Sequence, residues 1–153
     1  GELLMALEAD TDIVEGALVR HDGSLLAWSR WAKRLHLWNS KGEPRATFEG
    51  HTAGVTGALV RGDDSILTWS NDGTLRLWSS EWEPRAAPEG HTDTVTGTVV
   101  REDGSVLSWS NDTKLRLWNN EGEPVAVLDG HIHRIKGVLL CKDHSIVSWT
   151  DYP

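Results

Sequence analysis

The chain has 153 residues with 23 acidic and 15 basic side chains, a net charge of −8, which disfavours nucleic acid, a partner whose binding draws on clustered Lys and Arg. The one cysteine, Cys141, has no internal disulfide partner, no apolar stretch is long enough to span a bilayer and no signal segment opens the chain, so a reducing, cytoplasmic setting is expected. Nine tryptophans against one Phe and one Tyr point to one position copied many times, so repeats come first.

In chain order, residues 1–9 (GELLMALEA) match 122–130 (GEPVAVLDG), the tail of a copy, and are expected to form an outer strand. Residues 10–50 form a first unit with one insertion, because Trp28 and Trp38 lie ten apart whereas Trp69 and Trp78 lie nine apart. Residues 51–90 and 91–130 follow, agreeing at 23 of 40 positions, and residues 131–153 begin another copy that stops at Pro153. The sequence thus enters and leaves in mid-repeat. With no Met at its start, it is expected to be a trimmed or excised piece of something longer.

Within the copy from His51, Val55–Arg61 and Ser65–Ser70 are runs of β-favouring residues bracketing Gly62-Asp63-Asp64. Asp72-Gly73 leads into Thr74–Ser79 as a tight-hairpin signal, and Glu83-Pro84 opens a last run, Arg85–Glu89. Nothing repeats with helical periodicity. Four short strands per 40 residues predict antiparallel four-stranded sheets stacked as a propeller. Pro88 cannot donate to a ladder, which puts the fourth run at the outer edge of its sheet. The expectation is an all-β, single propeller part-domain of about four blades, one split or incomplete, with about 15 strands.

Gly50-His51, Gly90-His91 and Gly130-His131 recur, as do Ser70-Asn71-Asp72 before Trp78 and Ser110-Asn111-Asp112 before Trp118. In these marks the chain resembles the WD40 family, in particular bacterial members with highly similar blades. The family's Asp after Trp is replaced by Asn39, Ser79 and Asn119. The resemblance implies a buried network in which Trp78 Nε1–H donates to Ser70, Ser70 to His51, and His51 to Asp72. The next copy would use Trp118, Ser110, His91 and Asp112. A buried indole N–H, hydroxyl and imidazole each need such a partner. A nucleophilic Ser-His-Asp site is one pocket with an exposed hydroxyl, so a set recurring at fixed spacing reads as structural. The network is broken at the ends. Asp10 stands in the histidine's place, Arg30-Trp31 interrupt the motif after Ser29, and Tyr152 replaces the last aspartate while His131 and Thr150 remain.

A second series, Trp28, Trp69, Trp109 and Trp149, reads as packing, with an aromatic ligand-binding ring as the alternative. His131-Ile132-His133 has a spacing that two metal ligands use, but two ligands close no site. Trp82 takes a place held by Gly42 and Gly122 and is expected as an exposed contact on a turn. No Gly-rich phosphate loop opens a helix. No catalytic residue, metal or cofactor is therefore expected. The copies differ most at Ala53-Gly54, Asp93-Thr94 and His133-Arg134. In the family these loops lie on the propeller's top face, so Asp12, Arg30, Asp93, His133 and Arg134 are the expected binding face.

The functional expectation is a non-catalytic scaffold for an unknown protein or peptide. It is expected to self-associate as a homodimer, giving an eight-bladed ring, within the known range of blade numbers. A pure self-assembly module or an excised fragment without a ligand face is the alternative, and a Ser-His-Asp hydrolase the remote one.

Overall fold

The computed structural model describes residues 14–86, 90–143 and 145–151, and these contain strands and turns but no helix. The first sheet is β1 (Gly16–Val19), β2 (Leu25–Trp28), β3 (Leu35–Trp38) and β4 (Pro44–Phe48). The second is β5 (Val55–Val60), β6 (Ile66–Ser70), β7 (Leu75–Trp78) and β8 (Pro84–Ala86). The third is β9 (Val95–Val100), β10 (Val106–Ser110), β11 (Leu115–Trp118) and β12 (Pro124–Leu128), and a final hairpin is β13 (Ile135–Leu140) with β14 (Ile146–Thr150). Each four-stranded sheet runs in sequence order and is antiparallel throughout. The expected fourteen strands after residue 10 are all present; the strand expected at residues 2–8 and Pro88 fall outside the described residues.

Turn chemistry sets the hairpins. At the first turn of each unit an Asp accepts from the backbone N–H and hydroxyl of a Ser two residues on, as in Asp22–Ser24, Asp63–Ser65, Asp103–Ser105 and Asp143–Ser145. These Asx turns bring the first two strands of each sheet together.

The sheets stack face to face. Leu26, Leu35, Leu37 and Phe48 of the first blade pack with Val55, Ala58, Ile66 and Trp78 of the second. Leu67 and Leu75 then pack with Val95, Val106 and Trp118, and Leu107 and Leu115 with Ile135. Each boundary is thus built from one blade's forward-facing and the next blade's rearward-facing apolar residues, the packing expected of stacked sheets. Arg61 crosses a boundary as well. Buried at the end of β5, it donates to the carbonyls of Gly104 (3.0 Å) and Asn120 (3.1 Å) in the third blade, and to the Asn120 side chain.

Among the described residues, nothing packs against two faces of the stack. Leu139, Val147 and Trp149 are 58%, 48% and 49% exposed, whereas Leu67 and Leu107, the counterparts of Val147, are 4% and 0% exposed. At the other end Val14 and Val19, counterparts of the fully buried Val55 and half-buried Val60, are 54% and 69% exposed.

Candidate functional site

The second and third blades each hold a closed polar chain within their otherwise apolar interior. His51 Nδ1 lies 3.0 Å from Asp72 Oδ2, and His51 Nε2 lies 2.8 Å from Thr68 Oγ1. Trp78 Nε1 donates to the same Thr68 oxygen at 3.1 Å. In the third blade His91 bridges Asp112 (2.9 Å) and Ser108 (2.8 Å), and Trp118 Nε1 donates to Ser108 Oγ at 2.8 Å. A carboxylate only accepts, so Nδ1 carries the proton in a neutral ring. Nε2 then accepts from the hydroxyl, which itself accepts from the indole. Every donor has one acceptor.

This corrects the sequence expectation at two residues. Thr68 and Ser108 are the linking hydroxyls, not Ser70 and Ser110. Trp78 lies opposite Ile66 in the β6–β7 ladder. Residue 68 is its diagonal neighbour on the same face, whereas Ser70 is about 13 Å away along the strand. Ser70 instead ties two loops. Its hydroxyl donates to the carbonyl of Gly54 (2.9 Å) and accepts from the N–H of Asp72 (3.1 Å). Ser110 does the same with Asp93 O and Asp112 N. In the last hairpin His131 Nε2 meets Ser148 Oγ at 2.7 Å. In the first blade the linking position is Ala27, so that blade has no hydroxyl to relay.

Electrostatics follow burial. Burial alone would raise the Asp72 carboxyl, but hydrogen bonds from His51, Thr74 and the Thr52 backbone hold it well below the usual carboxylate range. Asp112 is lowered against the same burial penalty by His91 and the backbones of Thr92 and Lys114. Burial pushes the His91 ring down, outweighing the raising influence of Asp112. The relay hydroxyls are fully buried and already engaged twice. A hydroxyl so held has no open approach for a substrate, and this arrangement orders strands instead of attacking a bond.

The tryptophans of the second series lie across glycines. A Cβ placed on Gly57 would fall 2.2 Å from Trp69 Cζ2, and Gly16, Gly97 and Gly137 stand in the same relation to Trp28, Trp109 and Trp149. Trp28, Trp69 and Trp109 also pack against the inter-blade cores. Trp82 departs from expectation. It is half-buried, held at φ 70°, packed against the first inter-blade core and covered by the Arg45 guanidinium 4.3 Å from the ring centre. A side chain at this glycine place folds back over the blade boundary because apolar surface and a cation lie within its reach.

Of the expected binding face, Arg30, Asp93, His133 and Arg134 are exposed, on loops of the first, third and fourth blades that strand direction puts at one end of the stack. Asp12 lies outside the described residues. Arg30 is held by Glu15 through its backbone N–H (3.0 Å), Nε (3.1 Å) and Nη2 (2.6 Å). Two residues on the same loop end escaped sequence reasoning, Trp31 and Ile132, which are 79% and 82% exposed. The signal for Trp31 was the insertion that carries it. Among the described residues no group of His, Cys, Asp and Glu is placed to hold a metal ion, and no helix is long and apolar enough to cross a membrane.

Residues 42–79, which run from the end of the first blade through Trp78, match the family model described as WD domain, G-beta repeat. In this stretch the chain is similar to a WD40 repeat. The chain also superposes on the computationally designed Ika4 protein with a TM-score of 0.80 at 18% identity, over 97% of this chain and 98% of that one. On the computationally designed Ika8 protein the TM-score is 0.79 at 18% identity, over 95% of this chain but 48% of that one, so this chain spans about half of Ika8. At that identity the likeness speaks of the fold alone, a β-propeller that among the described residues has three four-stranded blades and a two-stranded one. No curated protein matches the chain. WD40 propellers are typically non-enzymatic and as a fold support scaffold roles in general.

Proposed function

We propose that the chain is a non-catalytic WD40-type scaffold for protein–protein interaction that joins a second copy head to tail into a closed ring. The observation that carries this reading is the match between its two uncovered faces. The β13–β14 face bears the residues that earlier blades bury against a following blade. The β1 side bears those that later blades bury against a preceding one. Apolar surface of this kind is stabilised by covering it, at about 25 cal/mol for each Å² removed from water. A head-to-tail contact is heterologous, and closing after two steps gives a finite ring in place of a filament. The half-length match to Ika8 supports this reading. The exposed loops carrying Trp31, Ile132 and Arg134 supply non-repeated chemistry for another protein.

Light scattering over a range of concentrations tests the assembly. The expected mass is twice the 16.9 kDa of one chain. A stable mass of one chain, or a broad polydisperse distribution, overturns it. The same measurement on Val147→Asp is expected to return a monomer. Capture of binding proteins, compared with Arg134→Glu, tests the loop face separately: equal recovery by both would remove that residue from it.

A further inference from the structure

The two boundaries between four-stranded blades are built from matching residues, with one exception. At the first, Leu26, Leu35 and Leu37 pack with Ile66 and Trp78, and Trp82 lies against this cluster from the turn between β7 and β8. At the second, Gly122 stands where Trp82 stands. The counterparts of the other five residues, Leu67, Leu75, Leu77, Val106 and Trp118, are in place and line a cavity at Gly122. About 270 Å³ of empty space lies there, part of it open to solvent. Its enclosed part holds little more than one water, so a ring fits across the mouth as a half-buried lid, as Trp82 does.

The cation that covers Trp82 has its counterpart too. Arg45 lies 4.3 Å from the centre of the Trp82 ring and 3.6 Å from Asp22. One blade on, the exposed Arg85 lies 3.8 Å from Asp63, the counterpart of Asp22. Among the described residues no ring lies beneath it. The turn that bears Gly122 keeps its shape without a ring. Gly122 N–H donates to the Asn119 carbonyl (3.1 Å) as Trp82 N–H does to Ser79 (2.9 Å), and the two φ angles are 87° and 70°. Arg61, buried beneath, donates to the carbonyl and side chain of Asn120 and fixes the turn from the neighbouring blade.

We propose that the cavity at Gly122, between the second and third blades, binds the indole ring of a ligand, held between its apolar floor and the Arg85 guanidinium. Covering the floor removes apolar surface from water, and a cation over the ring face favours indole above other rings. A tryptophan side chain of another protein and a free indole compound both carry this ring, and the chemistry at the site is common to both. The site lies within one chain and away from both of its ends. It therefore goes beyond the scaffold reading and stands whether or not two copies join.

The probes are N-acetyl-tryptophanamide and a capped peptide, Gly-Ser-Trp-Gly-Ser, titrated into the isotope-labelled full chain and followed by two-dimensional NMR. Saturable shifts are expected at the amides of Asn120 and Gly122 and at the Arg85 side chain. The dissociation constant for so small a ligand is expected on the order of 1 mM. N-acetyl-leucinamide, which has no ring face, is expected to bind several-fold more weakly. Tighter binding of the peptide assigns the ring to a protein, and equal binding of the two probes assigns it to a free indole compound. Arg85→Gln should weaken both about fivefold. Gly122→Trp supplies the ring in cis, as Trp82 does, and is expected to abolish binding. Because Arg85 is exposed, Arg85→Gln remains decisive if Gly122→Trp folds poorly. Absence of saturable shifts at this site, equal binding by the leucine compound, or full-strength binding to either variant would overturn the proposal.

Discussion

Trp78 stands opposite Ile66, and its indole leans along the strand to Thr68, which also holds His51. Thr68→Val keeps the side-chain shape and removes the only group between two buried partners. A loss of about 2–4 kcal/mol is expected, against about 1–2 kcal/mol for Ser70→Ala, whose hydroxyl ties two loops. Denaturant midpoints decide this, and a larger loss at Ser70 would contradict the assigned relay. Protonation gives a second prediction. Burial lowers His91 below its ordinary 6.5 despite Asp112, so the unfolded chain takes up the proton more readily. The stability linked to His91 is therefore fully present above 6.5 and is lost as pH falls below it. Asp72 and Asp112 lie below their ordinary 3.8 in the fold. Their contribution is present above that value and goes in a second step, below it. In His91→Gln the loss between about pH 7.5 and about pH 5.5 should shrink, while the more acid step persists. An unchanged slope over the upper range would remove His91 as its source. That a relay exists was legible in the repeated His, Asp, Trp and hydroxyl residues. Which hydroxyl serves was not, because Thr68 and Ser70 alternate onto the same face and only the hairpin register separates them.

In every blade the first two strands are locked by a glycine beneath a tryptophan, and the pairing partners are the same two residues: Gly57 with Trp69, Gly97 with Trp109, Gly137 with Trp149. A flat indole over a bare Cα restores the packing that a strand glycine loses. Gly97→Ala puts a methyl group 2.1 Å from Trp109 Cζ2, so the ring must leave its place against the inter-blade core. A loss of about 1–3 kcal/mol is expected by calorimetry or denaturant; a neutral result would mean that the indole moves aside freely. The repeated glycines and tryptophans were visible in the sequence, but their contact needs the cross-strand pairing. The first blade shows a different kind of fit. Its inserted loop lays the Arg30 carbonyl where a Cβ on Gly54 would be, 1.4 Å away, and only this copy of the following loop has glycine, against Thr94 and Arg134 in the others. Insertion and glycine were each legible alone, and their compensation belongs to the space between blades. Trp82 was misread for the same reason. A local turn signal says nothing about Arg45 and the neighbouring blade that cover its ring.

A period of about 40 residues with four strands in each complete copy left few architectures open at the scale of the whole molecule. A four-stranded sheet with two apolar faces must be covered on both, and stacking identical sheets does so for every blade except the outermost two. This is why the class of fold was legible in one sequence while its state of assembly was not. The repeat specifies each boundary between neighbouring blades equally, including those at which the next blade would come from another chain. The two uncovered faces lead to a thermodynamic expectation that differs between a lone chain and a ring. If assembly covers Leu139, Val147 and Trp149 of one copy with Val14 and Val19 of another, folding and association are linked, and the thermal midpoint must rise with protein concentration. For chains of this size the rise is roughly 2–5 °C for each tenfold increase. Scanning calorimetry over a hundredfold range of about 1–100 μM resolves such a slope. Val147→Asp places a charge on the covered face, where an unpaired buried carboxylate is strongly unfavourable. It is expected to flatten the dependence while leaving the midpoint of the dilute wild-type chain almost unchanged, since Val147 is already half exposed there. A midpoint independent of concentration in the wild type would mean that these faces remain bare in solution.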